Sequence, residues 1–335
     1  MAEKKSKIKI IDFEKVKNAL ESANRICIIS HRGPDGDAVG SNLALKIQLE
    51  KLGKTVISAC VDPVPENSLF LLNANKFVSD FNYADFDLFV SVDCAALSLM
   101  KFHEKKPELL SGEKVFINID HHSSNDNFGN INIVDGEAPS TSTILYSFFN
   151  YANWDIDRET ATCLLHGIYF DTGSLMHSNT TSYVYEVCGE LIKKGADLKK
   201  IVKNLFKTIE INKLRLWGRI LERAYINSDS VVISAVNQED LSALNTTHKD
   251  TGGAIDYLNA VPDSKYCVLL SEDDKGVVKG SIRTQRDEVN VSDVASKFGG
   301  GGHPKASGFG ISGKLKPVVK WQVVNENEPE KSFEF

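Results

Sequence analysis

The sequence predicts an α/β protein in two parts, a parallel-sheet N-terminal domain followed by a smaller α+β C-terminal domain. Three observations carry this. A chain of 335 residues exceeds one typical core. In the first half, short apolar runs alternate with helical stretches, the spacing of βαβ units. From about Ser230 the character changes to strands separated by short helical pieces. The expected boundaries are 1–195 for the first domain, 196–228 for a helical linker, 229–320 for the second domain and 321–335 for a tail.

The elements follow in order. Ile26-Cys27-Ile28-Ile29 is an apolar run suited to a buried parallel strand. Pro34 and Gly36 then disfavour a helix, so His31 to Asp37 form a turn at the strand's carboxyl end. Ala38 to Leu52, with Val39, Leu43, Leu45, Ile47, Leu49 and Leu52, reads as a helix that Gly53 ends. Thr55–Cys60, Phe86–Val92 and Val115–Ile119 are three further strands; Asp93 ends the second of these and Asp120-His121-His122 the third. Right-handed crossovers put successive strand ends on one rim of the sheet, so these polar residues converge. Helices are expected over Ser140–Tyr151, Arg158–Phe170, Thr181–Lys194 and Leu198–Lys207, with Leu214–Ile226 as the linker helix. The second domain has strands at Val231–Val236, Tyr266–Leu270 and Val277–Arg283, a helix at Val291–Phe298, and then Gly299-Gly300-Gly301-Gly302-His303. The tail from about Trp321, rich in Asn, Glu and Lys, is expected to be poorly ordered.

Composition narrows the function. A formal net charge of −6 argues against a protein that coats long duplex nucleic acid, yet leaves room for a short anionic substrate in a local basic pocket. Six cysteines without a CxxC pair are expected to be reduced and mostly buried. The first residues lead into no signal-peptide core, and no apolar run is long enough for a membrane span. A cytoplasmic protein with no membrane partner is expected.

His31, Asp35 and Asp37 lie within seven residues, and mixed nitrogen and oxygen donors on a tight loop suit a divalent first-row metal. The competing reading is that Asp35 or Asp37 caps the following helix. Asp93, Asp120, His121, His122 and Asp171 join them on the rim. So many neighbouring carboxylates repel unless cations sit among them, and two ions match the number of donors. A two-metal site acidifies water and takes up charge on a phosphoryl oxygen, which is the chemistry of phosphate ester hydrolysis. Taken singly, Asp93 reads as a loop residue, one of His121 and His122 as a plain histidine, and Asp171 as a helix-end carboxylate. The convergence of four segments is what argues for a site. In the second domain the glycine run brings backbone N–H groups close to an anion, His303 can donate to phosphate, and Arg283 offers a bidentate fork. A flexible linker and a surface salt bridge are the alternatives there.

His31-x-x-Pro34-Asp35-x-Asp37, Val92-Asp93, Asp120-His121-His122 and Asp171-Thr172-Gly173 resemble the four motifs of the DHH phosphoesterase superfamily. Gly299-Gly300-Gly301-Gly302-His303-x-x-Ala306-x-Gly308 resembles the signature of the DHH-associated C-terminal domain. The ordered set spans roughly Arg25 to Phe309 and is most similar to the NrnA-like branch of nanoRNases and 3′-phosphoadenosine 5′-phosphate (pAp) phosphatases. The resemblance implies that 1–195 is the catalytic domain and 229–320 the substrate-binding one, with the active site in a cleft between them. It implies two divalent ions, Mn²⁺ foremost with Mg²⁺ also accepted: one held by His31, Asp35 and Asp93, the other by Asp37, Asp93, His121 and Asp171. Asp120 would orient a ligand histidine, and His122 would face the scissile phosphate. Arg283, Gly300, Gly301, Gly302 and His303 would hold the substrate's terminal phosphate or nucleotide.

The implied activity is metal-dependent hydrolysis of short oligonucleotides to mononucleotides, together with dephosphorylation of pAp. A cyclic di-adenylate or pApA phosphodiesterase is the second enzymatic reading, and a catalytically inactive nucleotide sensor the non-enzymatic one. A homodimer is entertained, although the sequence does not fix the oligomeric state. One departure bears on substrate preference: Leu175-Met176-His177 stands where the branch commonly carries aromatic and arginine residues. His177 is expected at the surface. His103, His166 and His248 are expected to be structural or exposed.

Overall fold

The computed structural model describes residues 10–206 and 209–317, and the backbone of 322–324 and 332–334. The chain divides into two compact units, Met1–Thr208 and Ile209–Phe335. In the first unit the elements are α1 (Ile10–Ser22), β1 (Arg25–Ile29), α2 (Gly36–Lys51), β2 (Thr55–Ala59), β3 (Leu88–Val92), α3 (Leu97–Met100), β4 (Val115–Asp120), β5 (Ile131–Val134), α4 (Thr141–Ala152), α5 (Arg158–Asp171), α6 (Ser182–Lys193) and α7 (Leu198–Phe206). Five parallel strands lie in the order β2-β1-β3-β4-β5. Helix α1 and the short edge strand β5 were not among the expected elements.

The strands read as continuous apolar runs because both faces of the sheet are covered. Side chains alternate between two cores. Ile26, Ile28, Val90, Val92, Ile117 and Ile119 face the helical side, which includes residues of α1, α2, α4 and α5. Cys27, Ile29, Phe89 and Phe116 face the other, filled by Phe81, Phe86, Met100 and Phe102. Helix α2 is buried from Gly36 through Leu49, so it is a core helix rather than an amphipathic one. It packs backbone to backbone on α5: a Cβ on Gly40 would stand 2.5 Å from the Cys163 carbonyl oxygen. The strand order reverses between β1 and β3, and the carboxyl edge at such a switch point is where open α/β sheets bind ligands.

The second unit holds α8 (Ile211–Glu222), β6 (Tyr225–Ile226), β7 (Val231–Val236), α9 (Gln238–Ala243), α10 (Ala254–Asn259), β8 (Tyr266–Glu272), β9 (Val277–Arg283), α11 (Val291–Ser296), β10 (Gly301–His303) and β11 (Ala306–Ser312). The sheet order is β10-β11-β9-β8-β7-β6, with β7 and β8 parallel and the other pairs antiparallel. Two further strands, β12 (Gln322–Val324) and β13 (Ser332–Glu334), pair antiparallel. The rest of the expected tail lies outside the described residues. The segment expected to be a single linker divides between the units. Ile201 of α7 is buried in the first core, whereas Leu216 and Ile220 of α8 are buried in the second unit's core. The expected linker helix also ends early, and Tyr225–Ile226 turns into a strand. All six cysteines are buried and unpaired. Among the described residues no helix is long and apolar enough to cross a membrane.

Candidate metal centre

Three strand ends and two helices deliver the donors. His31 follows β1, Asp93 follows β3, and Asp120 closes β4 with His121 and His122 after it. Asp35 and Asp37 open α2, and Asp171 lies in the last turn of α5. The rim argument therefore brings together residues 140 positions apart. Asp93 is the hub. It is 2% exposed, and its oxygens lie 3.7 Å from His31 Nε2, 3.5 Å from His121 Nε2 and 3.8 Å from His122 Nδ1. Its φ of +56° turns the chain sharply off β3, a left-handed conformation that short Asp and Asn side chains tolerate best. His121 Nε2 also lies 3.1 Å from Asp171 Oδ2.

Donor atoms of His31, Asp35 and Asp93 lie within 4.8 Å of one another. The same holds for Asp37, His121 and Asp171, and for Asp93, His121 and His122. Both readings of Asp35 meet here: its Oδ1 accepts the Asp37 and Ala38 amides at 3.0 Å as the cap of α2, while the carboxyl stays within the first group. Asp37 is fully buried and accepts two amides at the start of α4, Thr141 at 2.6 Å and Ser142 at 3.1 Å. That is the favourable end of a helix for a carboxylate. Gly167 makes room for it, since a Cβ there would lie 2.3 Å from Asp37 Oδ1.

The donor chemistry fits divalent cations. Burial, with Asp93 and Asp171 close by, raises the Asp35 pKa to about 7. The same causes push Asp37 well above the carboxylate range, and burial with Asp93 raises Asp171. Burial opposes charge on His31, but Asp93 and Asp35 outweigh it and lift its pKa to about 9. Burial likewise opposes charge on His121, and Asp171, Asp93 and Asp37 lift it to about 10. Burial also works against ionised Asp93, yet the three histidines hold its pKa below the usual value. In the metal-free chain, protons stand where cations would relieve the same repulsion. The rings are set for that exchange: Nδ1 of His31 faces the Arg32 carbonyl at 2.9 Å and Nδ1 of His121 the Ala138 carbonyl at 3.3 Å, leaving each Nε2 for a metal.

Asp120 departs from the expectation. Its partner is not one of the histidines expected to ligate but His122, whose Nδ1 lies 2.8 Å from Asp120 Oδ1. Burial opposes charge on His122, while Asp120 and Asp93 raise its pKa. Asp120 is itself fixed by Asn125, which donates to its Oδ2 at 2.6 Å and is held by Asn118 at 2.9 Å. Asn125 and Thr141, whose hydroxyl donates to Asp93 Oδ1 at 3.1 Å, escaped the sequence reading. The Pro139-Ser140 helix start held the only signal for Thr141, because a helix N-terminus on the rim attracts a carboxylate. His177 is exposed, as expected, with its ring over Gly173. His166 is buried against Ser68.

In the second unit His303 and Arg283 both pair with Ala306, from opposite sides, so the three side chains share one face of the sheet. Arg283 is half-buried and has no acidic partner among the described residues; its Nη1 donates to the Ile282 carbonyl. The glycine run is ordered structure rather than a flexible linker. Gly299 follows α11 at φ +71°, its amide donating to the Ser296 carbonyl, and a Cβ on Gly300 would stand 2.1 Å from the Gly308 carbonyl oxygen. Gly301, Gly302 and His303 form β10, which is exposed.

Two family models match the chain: the DHH family N-terminal domain over residues 25–168 and the DHHA1 domain over 228–324. A bifunctional oligoribonuclease and PAP phosphatase NrnA from Thermus thermophilus is 30% identical over 86% of this chain and 84% of its own length. The Bacillus subtilis protein of the same name is 27% identical over 85% of this chain and 89% of its own. Among solved structures, an exopolyphosphatase-related protein from Bacteroides fragilis aligns with a TM-score of 0.86 at 25% identity, covering 93% of this chain and 94% of that one. RecJ from Thermus thermophilus in complex with Mn²⁺ shares the fold, with a TM-score of 0.52 at 15% identity over 91% of this chain and 52% of that one.

Proposed function

Because the chain belongs to the DHH phosphoesterase family, we propose that it is a cytoplasmic, two-metal hydrolase that cuts short oligonucleotides to mononucleotides and removes a phosphate from pAp. The observation that carries the reading is Asp93, a buried carboxylate with three imidazoles around it, shared between two groups of donors. On this reading His31, Asp35 and Asp93 hold one Mn²⁺, and Asp37, Asp93, His121 and Asp171 the other. When bound, the ions supply Lewis acidity toward the phosphoryl group and an acidified water.

The chain's own groups do the rest. Asp120, clamped by Asn125, anchors Nδ1 of His122 and leaves Nε2 free on a side chain that is 41% exposed. The raised pKa keeps that ring a proton donor, either to a phosphoryl oxygen or to the leaving group. Arg283, His303 and the amides of Gly300, Gly301 and Gly302 hold the terminal phosphate, with 229–320 as the substrate-binding domain and 1–195 as the catalytic one. The test is product analysis on di- to pentanucleotides beside pAp and cyclic di-adenylate, with Mn²⁺. Rapid release of mononucleotides from dinucleotides is expected, with kcat down by about 10²–10⁴-fold in His122→Asn. Preference for the cyclic substrate, or binding of nucleotides without turnover under Mn²⁺ or Mg²⁺, overturns the reading.

A further inference from the structure

The Asn125 backbone amide donates to the His122 carbonyl at 3.1 Å, closing a tight turn over His122-Ser123-Ser124-Asn125. The turn brings the Asn125 side chain back to the Asp120 carboxylate, where all four of its hydrogen-bonding positions are filled. Nδ2 donates to Asp120 Oδ2 at 2.6 Å and to the Cys94 carbonyl at 3.0 Å. Oδ1 accepts the Asn127 amide at 2.8 Å and Asn118 Nδ2 at 2.9 Å. A backbone N–H only donates, so Asn127 decides which end of the Asn125 side chain is oxygen, and both donors must face Asp120 and Cys94. Asn118 is fully buried on β4, and its Nδ2 also reaches Asn132 Oδ1 at 3.2 Å on the paired strand β5. The amide is thus tied to the sheet as well as to the turn.

We propose that Asn125 is a positioning residue for hydrolysis, fixing the His122 ring relative to the turn that carries Asp93. The bond to Cys94 gives it a role beyond steadying Asp120. Cys94 follows Asp93 directly, so its carbonyl marks the position of the hub's turn. Asp120 holds Nδ1 of His122 at 2.8 Å. One planar amide spans the two, and the ring is set against the same loop that presents the shared carboxylate. Asp120 and Cys94 are fully buried, so removing the amide leaves two acceptors without a donor where water does not replace it. The carboxylate then turns toward another donor, and the His122 ring turns with it. The residue type follows from this task. A serine has one donor for two acceptors, and an aspartate has none and sets a second carboxylate against Asp120. The inference rests on the reading of His122 as the proton donor.

The test compares Asn125→Ala, Asn125→Asp, His122→Asn and the double variant Asn125→Ala/His122→Asn on a dinucleotide with Mn²⁺. Asn125→Ala should lower kcat by about 10- to 100-fold and leave KM unchanged, as expected of a misplaced proton donor. Asn125→Asp fills the same space without a donor and should lose at least as much. The double variant should turn over at the rate of His122→Asn alone, because a residue that acts through another has no effect once that other is gone. Titration with Mn²⁺ should count as many ions in Asn125→Ala as in the wild type, which shows that the rim is folded and the loss is confined to the ring. Either Asn125 variant within about twofold of wild-type kcat, losses that multiply in the double variant, or loss of ions along with activity would overturn the inference. Wild-type turnover in His122→Asn would instead remove the reading of His122 on which it rests.

Discussion

The two polar regions of this protein are built on opposite plans. The rim of the first unit buries its charge: Asp37, Asp93 and Asp120 are at most 2% exposed, and helix amides, asparagines and backbone carbonyls hold the groups in place. The Arg283 face of the second unit holds a half-buried guanidinium with no acidic partner among the described residues, leaves His303 exposed, and gets its shape from glycines that let β10 and β11 meet. A buried set of like charges is stable only with counter-charge, so its occupancy and protonation are linked. A single half-buried guanidinium carries far less of that repulsion and should add binding without controlling the chemistry. Mutations on the rim should therefore act on kcat and metal affinity, and those on the Arg283 face on KM.

The largest expected effect is Asp93→Asn, which keeps the left-handed turn and removes the shared ligand. Turnover of a dinucleotide should fall by about 10³-fold or more with far-ultraviolet circular dichroism unchanged. Next comes the dual role of Asp35. Asp35→Ser keeps a hydroxyl to cap α2 while removing the metal donor, so metal affinity should collapse with little change in stability. Asp35→Ala should lose the affinity and a further ~1 kcal/mol in urea unfolding. If both variants cost stability alike and spare metal affinity, Asp35 is only a cap. Arg283→Ala should raise KM by about 10- to 100-fold and change kcat little; a fall in kcat at constant KM would erase the contrast between the regions.

Protonation sharpens the same contrast. With pKa values of about 9 and 10, His31 and His121 carry protons at neutral pH in the metal-free chain and must release them to ligate. Affinity should therefore rise at least about tenfold per ion from pH 7 to 8, with proton release visible in calorimetry across buffers. A further protonation effect, on stability rather than on metal affinity, belongs to His166, a buried group whose ring partner is Ser68. Burial lowers its pKa to about 4, so the unfolded chain takes the proton first. Its contribution to stability is complete above pH 6.5 and is lost as pH falls from there toward 4. Urea midpoints at pH 7 and 5 should reveal a loss of about 2 kcal/mol that His166→Gln removes.

The first unit's sheet was legible because β1, β3 and β4 are covered on both faces and must read as apolar runs. β5 sits at the edge, where Asn132 interrupts its short run, and it was missed for that reason. The donors were legible because strand ends of a parallel sheet share a rim, so one topological rule gathers His31, Asp93 and His121 from distant segments. Their supports were not. Asn125, Thr141 and the Ala138 carbonyl act through contacts across tens of residues, and neither spacing nor composition encodes such contacts. The partner of Asp120 was misassigned because two adjacent histidines leave strand β4 together, and only the backbone path decides which ring turns toward the carboxylate.

The most direct measurement is the number of Mn²⁺ ions bound per chain by equilibrium titration, in the wild type and in Asp93→Asn. Two tightly bound ions in the wild type, with both weakened in the variant, are expected from a carboxylate shared between two groups of donors. No bound ion in the wild type, or binding that is the same with and without the Asp93 carboxylate, would contradict it.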